Sequence, residues 1–219
     1  MDKLRLRFSK TGRSVYISHL DLMRTLQRAL MRAEIPIRYS EGFNPHAIMS
    51  IALPLSVGAE SLCELMDFKL RSFMSMQEIT YRLNRTLPEG LQAIETYEWE
   101  RKFKEIKWID IEGVFEYDNR DMGSMLEGVA EFFQQESIVI EKRTKGGIGE
   151  SDIAPAIRII SFDAGEKTLS LQATISAQEP TLNPEYLSAA LSQLVPELAP
   201  DFAYFKRRSL FDAEMCEFR

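Results

Sequence analysis

The chain has 219 residues, 45% hydrophobic and 27% charged, with a net charge of −6. This ordinary globular composition supplies apolar material for one large domain or two of about 100 residues, and it excludes a disordered polymer. No apolar run approaches the ~18 residues of a bilayer span. The charged, alternating N-terminus is not a signal peptide, and the two distant cysteines, Cys63 and Cys216, suit a reducing compartment, so a cytoplasmic location is expected.

Leu4, Leu6 and Phe8 alternate with Arg5 and Arg7, which predicts a half-buried strand over 4–8. Ser18-His19-Leu20-Asp21 has the capping-box form, with Asp in place of the usual Glu or Gln, and opens a helix. Its apolar stripe is Leu20, Met23, Leu26, Leu30 and Ala33, and it stops before Pro36. Residues 37–39 and 48–53 are strand material around a Gly/Asn/Pro loop, and 64–70 form another strand. Ser75-Met76-Gln77-Glu78 caps a helix carrying Met76, Ile79 and Leu83, Pro88-Glu89-Gly90 turns, and 91–98 is a strand. The order β-α-β-β-α-β is the ferredoxin-like arrangement.

The second half reads the same way. Residues 107–117 alternate through Trp108, Val114 and Tyr117, and 122–135 have helical apolar spacing. Residues 137–142 form a strand, 156–162 and 168–176 flank a hairpin loop, Asn183-Pro184-Glu185 opens a helix to about Leu194, and a strand closes near 202–210. Lys145-Gly146-Gly147-Ile148-Gly149 is expected to be a flexible loop. The predicted fold class is therefore α+β, with two tandem ferredoxin-like (βαββαβ) units and antiparallel sheets. The units are residues 1–100 and 101–219, joined near 99–106.

Charge is uneven. Residues 1–46 hold nine Lys/Arg (Lys3, Arg5, Arg7, Lys10, Arg13, Arg24, Arg28, Arg32 and Arg38) against Asp2, Asp21, Glu34 and Glu41. That block is +5 and leaves −11 for the rest. A basic block on an acidic protein marks either an anionic ligand or a solvated face that happens to be basic. At 100° per residue, Arg24, Arg28 and Arg32 fall within about 60° of Asp21 and opposite the apolar stripe. Such a ridge suits phosphate or carboxylate oxygens, although an Asp21–Arg24 or Asp21–Arg28 pair would serve the helix alone.

The segment Tyr39-Ser40-Glu41-Gly42-Phe43-Asn44-Pro45-His46 sets polar side chains around a sharp turn. Tyr39 and Phe43 could stack on a base or anchor the loop in the core. The candidate binding set is Arg5, Arg7, Lys10, Arg24, Arg28, Tyr39, Ser40, Glu41, Phe43, Asn44 and His46. The two histidines, His46 and His19, are the candidate acid–base groups, with His19 turned toward the apolar side of its helix. No short metal-ligand spacing occurs, so no metal is expected. There is no P-loop, G-x-G-x-x-G or G-x-S-x-G, and two cysteines cannot hold an iron–sulfur cluster, so no cofactor is expected either.

Leu4-Arg5-Leu6-Arg7-Phe8-Ser9-Lys10, Ser18-His19-Leu20-Asp21-Leu22-Met23-Arg24, Arg28-Ala29 and Tyr39 through His46 resemble a bacterial family of unknown function described as radical-SAM-linked. So do Leu53-Pro54-Leu55, Gly58, Glu64 and Asp67, and further on Thr144-Lys145-Gly146, Asp152-Ile153-Ala154-Pro155, Asn183-Pro184 and Arg207-Arg208. The resemblance implies a partner radical S-adenosylmethionine protein, sometimes fused, and a setting in RNA or ribosome-related modification. It implies no reaction and no catalytic residue. The expected function is an accessory or substrate-binding protein for that partner, acting on RNA. The alternatives are a stand-alone, metal-independent ribonuclease using His46 or His19, and a protein–protein adaptor using the acidic second half.

Overall fold

Among the described residues, each half of the chain contributes four antiparallel strands to the main sheet and two helices. The structure, a computed structural model, describes residues 3–144 and 147–219. The chain divides into two units, one running to Glu105 and one from Ile106 to Phe218.

The first unit follows the order read from the sequence: β1 (Leu4–Lys10), α1 (His19–Arg32), β2 (Met49–Ile51), β3 (Glu60–Phe68), α2 (Met76–Asn84) and β4 (Leu91–Glu98). In space its strands run β4-β1-β3-β2, every neighbouring pair antiparallel. Leu4, Leu6 and Phe8 pack under the helices with Leu22, Leu26, Leu30, Ile79 and Leu83. Emptying one of these leucine sites to alanine costs about 2–5 kcal/mol. One turn of the expected α1 stripe is displaced: Leu20 stands exposed and Leu22 is buried in its place. Leu20 lies at the edge of the apolar arc, about 120° from Leu26, whereas Leu22 lies about 40° from it.

Ser18 caps α1 as expected, its Oγ accepting from the Asp21 N–H at 3.2 Å, and Ser75 caps α2 from Glu78 at 3.3 Å. Proline cannot continue the first helix, and the chain leaves it through Glu34 at φ +55°.

The second unit contains β5 (Trp108–Glu116), α3 (Met122–Phe132), β6 (Val139–Thr144), β7 (Gly147–Asp152), β8 (Ile157–Ala164), β9 (Thr168–Ser176), α4 (Glu185–Leu194) and β10 (Phe202–Phe211). Its sheet runs β10-β5-β9-β8, the same pattern of first, second, third and fourth strands as in the first unit. The strand expected over 137–142 joins a separate hairpin with β7, inserted in the chain between α3 and β8. Gly147, Ile148 and Gly149, expected in a loop, form part of β7, while Lys145 and Gly146 lie outside the described residues. In β5 the buried alternation runs through Ile109, Ile111 and Phe115, so Trp108 and Val114 sit on the less buried face. Gly113 completes that buried row because a Cβ there would meet Leu171 and Phe205 side-chain carbons at 2.9–3.0 Å.

Among the described residues no helix is long and apolar enough to cross a membrane.

Candidate functional site

The basic residues of the first unit divide into a buried set and an exposed set. Arg5, expected to meet an anionic ligand, is fully buried. Its Nε donates to Asp67 Oδ1 at 2.6 Å and its Nη2 to Asp67 Oδ2 at 3.0 Å, a two-pronged pair set by the β1–β3 register. Nη2 also donates to the Arg101 carbonyl at 3.0 Å. The guanidinium lies 4.3 Å from the Phe103 ring centre and 5.4 Å from that of Trp99. The segment after β4 thus folds over the Arg5 face of the sheet.

Burial pushes the Asp67 carboxyl above the usual carboxylate range, against the opposing pull of Arg5. Tyr97, opposite Arg5 on β4, is pushed up to about 12, chiefly by burial, with the Arg5 charge opposing. Lys10 is also a correction to the expected binding set: it is 1% exposed and its Nζ donates to the Val15 carbonyl at 3.1 Å. The Arg7 side chain is 19% exposed and reaches within 4.0 Å of Glu95. Arg5 and Lys10 belong to the inside of the sheet, with Arg7 partly covered beside Glu95, and a ligand phosphate would have to displace protein partners from them.

The outer face of α1 differs. Arg24 is exposed and pairs with Asp21 at 3.0 Å. Hydrogen bonds from Ser18 and Arg24 hold the Asp21 carboxyl below its usual range. Arg28 is exposed, and Arg32 uses one guanidinium nitrogen to donate to the Thr86 carbonyl at 2.9 Å. That bond brings Arg32 to the lip of α2. There a groove of about 430 Å³ is lined by Arg32, Glu34, Glu78, Tyr81, Arg82 and Arg85. Arg82 pairs with Glu78 at 2.6 Å, and Arg85 lies over the Tyr81 ring. Sequence reasoning missed Arg82, Arg85 and Tyr81. Their spacing on α2 is readable, but their adjacency to Arg32 depends on how two helices, one ending at Arg32 and the other beginning at Met76, pack together.

Residues 39–46 form a closed loop. Tyr39 bridges Ala47, and Ser40 N donates to the His46 carbonyl at 2.8 Å. The Ser40 hydroxyl accepts from His46 N at 3.1 Å and shares a 2.9 Å hydrogen bond with His46 Nδ1. Gly42 sits at φ +124°, a conformation that an L side chain rarely adopts. Glu41, Phe43 and Asn44 are exposed, and Phe43 reaches 107% of its reference area. Phe43 is therefore not a core anchor. Tyr39 is exposed at 36%.

The two histidines are not brought together. His19 opens α1 at the Lys10 end of β1, whereas the loop holding His46 enters β2 at the Leu4 end, where Met49, Phe68 and Leu4 lie side by side. Seven strand residues separate those ends by about 20 Å. His19 is half-buried, and its Nδ1 is buried without a hydrogen-bond partner. His46 faces solvent beside Ser40. Among the described residues no group of three or more His, Cys, Asp or Glu is placed to hold a metal ion.

No curated protein matches the chain. A chain of the crystal structure of a Cbf5-Nop10-Gar1 complex aligns over 94% of this chain and 48% of its own, at 7% identity and TM-score 0.51. The present chain thus spans about half of that one, and the likeness is one of fold. A structure of an unknown protein from Galdieria sulphuraria aligns over 94% of this chain and 98% of its own, at 11% identity and TM-score 0.28. A family model matches residues 3–184, and the chain belongs to that family, described as an uncharacterized protein conserved in bacteria (DUF2344).

Proposed function

We propose that the chain is an RNA-recognition accessory protein, built from two tandem ferredoxin-like units, that presents an RNA substrate to a radical S-adenosylmethionine partner. The observation that carries the RNA reading is the exposed arginine set on the helix layer of the first unit: Arg24, Arg28 and Arg32 on α1, with Arg85 and the half-buried Arg82 across the groove. Guanidinium groups in a row match the repeat of phosphates along a single strand. The closed loop adds an unburied aromatic ring, Phe43, of the kind on which an unstacked base rests. The strand order shared by the two units supports the ferredoxin-like description. The radical SAM partner rests on the family resemblance read from the N-terminal motifs.

A ribonuclease reading has less support. The two histidines stand at opposite ends of one sheet, so a ribonuclease would have to rely on His46 or His19 alone for its proton transfers.

The test is fluorescence anisotropy of the full chain with a labelled single-stranded RNA at low salt. Binding that weakens steeply with salt, and that falls at least about tenfold in the Arg24→Ala, Arg28→Ala, Arg32→Ala triple variant, is expected. No binding to RNA, together with no co-purification with a radical SAM protein of the same cell, overturns the reading.

A further inference from the structure

The first unit has a second exposed surface, on the β4 side of α2, which shares Tyr81 with the arginine groove. β4 is the outermost strand of its sheet, and the two halves of its outer edge are treated differently. In the first half, the Asn84 side chain mimics a neighbouring strand. Its Nδ2 donates to the Ala93 carbonyl at 2.8 Å, and its Oδ1 accepts from Ala93 N at 2.9 Å. The β1–β4 register then shifts between Arg7 and Phe8, a bulge at Ile94. Both devices protect sheet edges from unwanted pairing.

Beyond the bulge neither device recurs among the described residues. Trp99 N donates inward to the Lys3 carbonyl, so Tyr97 and Glu95 also turn their backbone groups toward β1, and those of Thr96 and Glu98 point outward. Beside this stretch α2 forms the wall of a groove of about 540 Å³ lined by Met76, Gln77, Thr80, Tyr81, Ile94 and Thr96, with Glu95, Tyr97 and Glu98 along its rim. Tyr81 and Ile94 are exposed at 59% and 45%. Thr80 meets Thr96 at 2.9 Å and so fixes the distance between helix and strand. Glu95 lies on the opposite face of β4 from the groove, level with Arg7.

We propose that the outer edge of β4 from Ile94 to Glu98 takes an extended segment of a protein partner as an added antiparallel strand, with alternating apolar and basic side chains. The backbone of the added strand would meet the outward groups of Thr96 and Glu98. Its apolar side chains, on one face, enter the groove against Tyr81 and Ile94. Its basic side chains, on the other, meet Glu95, while Glu98, on the groove face with Thr96, sets a carboxylate at the end of the groove for a terminal basic residue. Main-chain bonding supplies the affinity of such an addition, and the alternate side chains supply the selectivity. The acidic rim opposes pairing of this edge with a second copy of itself.

The test uses the full chain and a fluorescein-labelled decapeptide of alternating valine and lysine, read by anisotropy. Two control peptides carry glutamate in place of lysine, or N-methyl groups on alternate backbone nitrogens. Saturable binding of the valine–lysine peptide is expected, with both controls at least about tenfold weaker. Ile94→Ala should weaken binding while leaving RNA affinity in place, and the Glu95→Lys, Glu98→Lys pair should weaken it as well. Hydrogen exchange should show the Thr96 and Glu98 amides gaining protection. No saturable binding, equal binding of the N-methylated peptide, or protection confined to other strands overturns the proposal. The N-methylated control needs no altered protein, so a variant that fails to fold does not blunt the test.

Discussion

The arginines of β1 and those of α1 are separated by fewer than about thirty residues yet have opposite fates. Arg5 sits between Asp67, a backbone carbonyl and two aromatic rings, where its charge is part of the interior. Arg28 stands on a helix face with its guanidinium in solvent. A strand turns alternate residues to the two faces of a sheet, and here both faces are covered. A helix on a sheet keeps one side free. A count of basic residues therefore overstates the cationic surface of the N-terminal block, and the usable charge is what the helices carry outward.

The sharpest way to break that comparison is Arg5→Ala. Removing one member of a buried pair strands Asp67, and a loss of about 3–5 kcal/mol in unfolding free energy is expected in urea titration. If the variant kept its stability and lost only RNA binding, Arg5 would belong with the ligand-facing set. Next comes the triple replacement on α1. Each exposed site should change stability by no more than about 0.5 kcal/mol, while the salt dependence of RNA binding becomes shallower by about one unit for each phosphate that is no longer neutralised. Ser40→Ala is expected to cost about 1 kcal/mol by removing the bonds at the base of the loop, and to lower RNA affinity without altering the salt slope.

The smallest effect is spectroscopic. Absorbance titration should find Tyr97 and Tyr117 ionising near 12. Burial is the main cause in both. Because the unfolded chain releases these protons near 10 and the folded chain holds them, stability should fall as pH rises from 10 toward 12. An Arg5→Ala protein that still folds should not lower the Tyr97 value, since the Arg5 charge acts to favour the ionised ring.

Much of the first unit could be read from its sequence, because its cues are local. Two serine caps, a proline stop and a strict strand alternation each act within a few residues. The misplacements have equally local causes. Leu20 and Leu22 are both apolar, and only the angle to Leu26 distinguishes them. In β5 both faces carry large apolar residues, so alternation alone could not choose between the Trp108 and Ile109 registers. The two-stranded insertion of β6 and β7 was hidden because its glycines read as a loop.

At the candidate site, the closed loop was visible as turn chemistry, but the bond between Ser40 and His46 was not. The covering of Arg5 and the meeting of Arg32 with Arg82 and Arg85 were illegible for a stronger reason. They depend on packing between segments far apart in the chain, which a local sequence pattern does not encode.

The base of the 39–46 loop also bears on portability. Tyr39 and Ala47 face each other as bridge partners, so the two feet of the loop stand about 5 Å apart, the spacing of any antiparallel pair. Serine and histidine close the ring from within. The segment is in effect a cassette, able to be cut from this chain and spliced onto the hairpin of an unrelated host without a linker. Whatever the bare phenyl ring at its tip engages could then be assayed apart from the arginines of α1.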